Sequence, residues 1–167
     1  MGMLSVYSCF CNFIWVNVKN INHLMKHFGC SSDYNDERNA DLMRAYRQQI
    51  VGRKEIVLAD VFRSLVEMPS KRFWVSEERA RIVIGKLHQG DDLSDMRPNK
   101  REMFKEIYKR TLLVKAEHPG MSIGEAVYKV VHSPAPKFYL TPQSARVIFF
   151  KVKKQWYKKR MPRALHS

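Results

Sequence analysis

Apolar residues fall at Ala80, Val83, Ile84 and Leu87, the i, i+3, i+4, i+7 spacing of a helix with one buried face. The same stripe returns at Ala145, Ile148, Phe149 and Val152. Each follows a residue suited to cap a helix, Ser76 or Thr141, whose hydroxyl can accept a backbone N–H of the first turn. Glu77 and Glu78 add negative charge at the positive end of the helix dipole, and Pro142 fits a first turn where no N–H is needed. Upstream, Leu42, Tyr46 and Ile50 predict a helix starting near Asp36 and stopping at Gly52. Its counterpart follows Pro98–Asn99 and ends at His118-Pro119-Gly120. Shorter helices are predicted over about 58–67 and 123–132, the later one opened by a capping box at Ser122 and Glu125.

These elements form two parallel series. "PSKRFWVSEERARIV" and "PAPKFYLTPQSARVI" align at an offset of 65 residues, matching Arg72 with Lys137, Phe73 with Phe138, Trp74 with Tyr139, Ala80 with Ala145 and Arg81 with Arg146. The expected fold is all-α: two tandem three-helix units, about six helices, in one compact body with an irregular N-terminal extension. The expected boundaries are an extension at 1–35, helical repeat 1 at 36–90, a linker at 91–98, helical repeat 2 at 99–160 and a basic tail at 161–167. The polar stretch "HQGDDLSDMRPN" suits a solvated linker.

Charge changes the picture. The 167 residues carry 30 Lys and Arg against 16 Asp and Glu, and no acidic residue follows Glu125. A one-sided basic region favours a polyanionic partner over mere solubility, which mixed signs would serve as well. The three cysteines, Cys9, Cys11 and Cys30, lie near one end and do not describe a disulfide scaffold; a reducing cytoplasm fits them better. The apolar opening "MLSVYSCFCNFIWV" has no preceding Lys or Arg and is shorter than a bilayer span.

The candidate nucleic-acid contacts follow from the last helix. Arg146, Lys151, Lys153, Lys154, Lys158, Lys159 and Arg160, with Arg163 beyond them, surround an apolar stripe that the core consumes. With that stripe buried, a membrane-surface helix is not expected. Arg72, Trp74, Arg81, Lys137 and Tyr139, with Lys71, extend the candidate surface. Two readings of the aromatic pairs stay open: Phe73 and Phe138 fill the gap between second and third helices of their units, while Trp74 and Tyr139 either lean over that rim or stack on a base. Gln143 and Gln155 are the only amides on the third helices that could read adenine.

Other chemistry is sparse. Cys9, Cys11, His23 and His27 approach zinc-finger spacing, but the cysteine pair is one residue too close. Asp91, Asp92 and Asp95 read as linker solvation, His118 and His132 lack a neighbouring nucleophile, and "GRK" at 52–54 lacks the glycines of a phosphate loop. No enzyme activity and no cofactor are expected. The expected function is non-enzymatic nucleic-acid binding, DNA before RNA, through backbone phosphates; the alternative is a helical module docking an acidic protein.

The motifs "RFWVSEERA", "MRPNKREMF" and "SPAPKFYLTP" resemble those of a family of small basic two-repeat bacterial proteins, over about residues 40–157. The resemblance carries over no activity, ligand or catalytic residue.

Overall fold

The hydroxyl of Ser76 accepts the N–H of Arg79, that of Thr141 accepts the N–H of Ser144, and Ser122 and Glu125 close a reciprocal capping box. Among the described residues, three of the six helices thus begin where a short side chain takes up a free backbone donor. In a computed structural model that describes residues 34–160, the helices are α1 (Asn35–Ile50), α2 (Leu58–Val66), α3 (Glu77–His88), α4 (Pro98–Glu117), α5 (Ile123–Val131) and α6 (Pro142–Arg160). Gly52, just past α1, takes a φ of 75°, a conformation that costs glycine little. The fold is all-α, and no strand occurs among the described residues.

The helices group differently from a tandem pair. α3 packs on α4 and α5, whereas α6 packs on α1 and α2. A middle bundle, α3–α5, is therefore continuous in sequence, while a terminal bundle takes α1 and α2 from one side of it and α6 from the other. α3 and α6 thus each pack with the pair of helices that the tandem reading assigned to the other. Two cores result. One holds Val83 and Ile84 of α3, Phe104 and Ile107 of α4, and Val127 and Val131 of α5. The other holds Leu42 and Ala45 of α1, Phe62 and Leu65 of α2, and Phe149 and Val152 of α6.

The exchange follows from the two connectors, which cross between the bundles. Ser70 and Ala135, both buried, bond to each other twice, each N–H donating to the other's carbonyl at 3.0 Å. The N–H of Phe73 donates to the carbonyl of Val131 at 3.1 Å, and that of Phe138 to Val66 at 3.0 Å. The connector before α3 is thus tied to the end of α5, and the connector before α6 to the end of α2. Phe73 and Phe138 complete the cores on the far side of the crossing, correcting the expectation that each fills its own unit. Full burial of a phenylalanine contributes about 2 kcal/mol by area alone, and each buried main-chain bond about 1 kcal/mol more.

Two arginines clamp the crossing. Arg44 donates to the carbonyl of Pro69 at 3.3 Å while held by Asp41; Arg110 donates to that of Pro134 at 2.7 Å while held by Glu106. The Asp41 carboxylate, wholly buried, also accepts the N–H of Lys71 at 2.9 Å. A buried carboxylate is tolerable here because all these donors face it.

The 91–98 segment is largely exposed, as a polar linker should be, but it is anchored to one bundle. Leu93 is buried in the core of the middle bundle with a φ of 58°, and the segment merely turns α3 into α4. Asp91 and Asp92 accept the N–H groups of Leu93 and Ser94, both at 2.8 Å, fixing that turn. Expectations for Cys9, Cys11, Cys30, His23, His27, Arg163 and the two chain ends fall outside the described residues.

Candidate nucleic-acid interface

α6 presents three faces. Ala145, Phe149 and Val152 point into the terminal bundle. Phe149 meets Tyr46 with ring centroids 4.2 Å apart and Phe62 edge-on at 5.6 Å. Beyond Val152 every residue to Arg160 is exposed, so about two helical turns extend past the packed region.

The second face carries Arg146, Phe150, Lys153 and Tyr157 at i, i+4, i+7 and i+11; the third carries Val147, Lys151, Lys154 and Lys158 at the same spacing. All eight are exposed. Among the described residues none of the α6 cations, including Lys159 and Arg160, lies within ion-pairing distance of a carboxylate; the six ion pairs found lie elsewhere. α6 itself contains no acidic residue. Its charge therefore faces solvent without a carboxylate to offset it, the condition under which a phosphate backbone gains most from approaching it.

The connector residues divide. Lys137 lies between two carboxylates, its Nζ 2.8 Å from Glu102 and 3.7 Å from Glu67. Its hydrogen bond to Glu102, followed by the charges of Glu102 and Glu67, raises its pKa above the ordinary lysine value. The anion expected at Lys137 is thus supplied from within. Tyr139 is 8% exposed, stacks on Phe73 at 6.0 Å and belongs to the middle core, which corrects its assignment as a base-stacking surface. Burial first, then nearby Glu106 and Glu102, push its phenol up to about 12.

Trp74 packs half-buried against the terminal core and meets Tyr34 at 6.3 Å; the Arg72 guanidinium lies over its ring at 5.8 Å. Rim packing, the first of the two readings, describes it. Arg81 is exposed on α3 in the other bundle, and its stem crosses Gly124 so closely that an added Cβ there would stand 3.3 Å from its Cδ. Lys71 is exposed, with its N–H taken by Asp41. The candidates thus concentrate on α6, and Lys137 and Tyr139 leave the set.

Three residues join it. Phe150 and Tyr157 were hidden in sequence by the apolar stripe beside them, although their spacing from Arg146 and Lys153 marked a second stripe. Arg47 of α1 lies over the ring of Trp156 at 5.5 Å, bringing another cation to the projecting end of α6. Nothing local to Arg47 signals this, because it depends on α6 packing on α1.

No group of three or more His, Cys, Asp and Glu side chains among the described residues could hold a metal ion, and no helix there is long and apolar enough to cross a membrane. Fold and surface together define an all-helical protein whose last helix bears an uncompensated basic face. No family model, curated protein or solved structure matches the chain.

Proposed function

We propose that the protein is a non-enzymatic nucleic-acid-binding protein, DNA before RNA, in which α6 supplies most contacts to the phosphate backbone. The observation that carries this reading is the set of α6 cations, exposed and without carboxylate partners among the described residues. Surface lysines kept for solubility alone are normally mixed with acidic residues, and none stands on this helix. Arg146, Lys151, Lys153, Lys154, Lys158, Lys159 and Arg160 carry affinity, Arg47 adds to it, and Arg72 and Arg81 are secondary. On this reading the chain contains an internal repeat and acts in the cytoplasm, and the terminal bundle serves to hold α6 with one face packed and two faces free.

The test is binding of labelled oligonucleotides over a salt series. Affinity falls steeply with salt, and neutralising one phosphate-contacting lysine flattens the log–log slope by about one unit. Simultaneous charge reversal at Lys153, Lys154, Lys158 and Lys159 abolishes binding; unchanged affinity in that variant removes the proposal.

A further inference from the structure

The two free faces of α6 are not equivalent. The third face is aliphatic and cationic, whereas the second alternates cation and ring: Arg146, Phe150, Lys153, Tyr157. The Arg146 guanidinium lies over the Phe150 ring at 5.9 Å, and Lys153 Nζ lies 5.9 Å from the Tyr157 centroid. Phe150 is 42% exposed and Tyr157 58%, a large apolar area to leave in water beside a well-packed core.

Building on the proposed function, we infer that this second face is a stacking platform for single-stranded nucleic acid, with Phe150 and Tyr157 each taking one base and Arg146 and Lys153 the adjoining phosphates. Duplex DNA offers α6 its phosphates and groove edges but keeps its base faces stacked on one another. Only an unpaired strand can turn a base onto a side-chain ring. The rings stand about 10 Å apart along the helix axis, much more than the 3.4 Å between stacked bases, so they suit two bases splayed apart. Between Arg146 and Tyr157 the face holds no Asn or Gln to read a base edge, Gln143 standing a turn ahead of it, which fits stacking with little sequence preference. Charge complementarity selects the occupant: an apolar protein surface would leave Arg146 and Lys153 desolvated and unpaired.

The experiment compares an oligothymidylate, an abasic deoxyribose-phosphate strand of the same length and a duplex, against the full chain and the variants Phe150→Ala, Tyr157→Ala and Phe150→Tyr. Both rings are exposed, so truncation leaves the core intact, and an unchanged thermal midpoint checks this. The parent binds oligothymidylate about tenfold or more tighter than the abasic strand. Each alanine variant loses most of that preference while keeping its abasic and duplex affinity and its salt slope, and Phe150→Tyr retains the preference. Equal binding of the base-bearing and abasic strands by the parent, or alanine variants that bind oligothymidylate as the parent does, overturns the stacking platform and leaves the phosphate reading standing. Failure to bind any of the three strands at low salt overturns both.

Discussion

Ser70 and Ala135 hold one another by two main-chain hydrogen bonds of 3.0 Å, and they are the positions that the 65-residue offset aligns. A residue bonded to its own counterpart marks the point where the two halves cross, with each connector repeating the other's path in the opposite direction. The Ala135 methyl is 1% exposed there, so Ala135→Leu should force the connectors apart and cost about 2 kcal/mol. The same change at exposed Pro136 serves as the control, and denaturant unfolding compares them.

The grouping of helices gives a truncation test. A chain ended before Pro142 loses the partner of α1 and α2, and hydrogen exchange should show those two helices unprotected while α3, α4 and α5 stay protected. A tandem arrangement predicts the reverse, because α4 and α5 would then lose their third helix.

Asp41 receives Arg44 and the N–H of Lys71 in a site without solvent. Asp41→Ala leaves that donor unsatisfied and frees the arginine that clamps Pro69. The expected loss is about 3 kcal/mol in thermal or denaturant unfolding, with α6 retaining its helicity at low temperature.

Lys137 and Lys154 test the proposed division between structural and nucleic-acid-binding cations. Lys137→Gln should lower stability, because Glu102 and Glu67 lose their shared partner, and leave the salt slope of nucleic-acid binding unchanged. Lys154→Gln should do the opposite, with the slope falling by about one unit and the thermal midpoint unmoved.

Alkaline pH should weaken the middle bundle through Tyr139. Its phenol, pushed up to about 12 by burial, holds its proton more tightly folded than unfolded. That preference stabilises the fold fully below the ordinary tyrosine value of about 10 and is lost as pH rises from there through about 12. Lys137, whose pKa is also raised, acts in the same direction. Tyr139→Phe should therefore show a shallower fall in stability across that window than the parent.

The helices were legible because their signals are local. Ser76, Ser122 and Thr141 announce helix starts, and the stripes beginning at Ala80 and Ala145 name the buried faces before any partner is known. Which helices those faces meet is a different question. The two third helices carry nearly the same stripe and would suit either pair of partners, so the choice rests on the Ser70–Ala135 crossing, which no periodicity records. The same limit explains Tyr139. Beside Lys137 it reads as a cation–aromatic pair open to a ligand, and only the fold brings Phe73 and Glu102 to that pair. On α6 the cations were plain from composition, whereas Phe150 and Tyr157 required knowing which of two adjacent apolar positions the core would take.

Because α1 and α2 are sealed by a helix encoded after the middle bundle, the order of synthesis imposes an order of folding. The middle bundle is complete in sequence before α6 is made, but the first two helices keep their apolar faces uncovered until α6 arrives. A chain halted early therefore carries both an unfinished core and no basic helix, so on the proposed function the capacity to hold a polyanion would come only with the final act of folding.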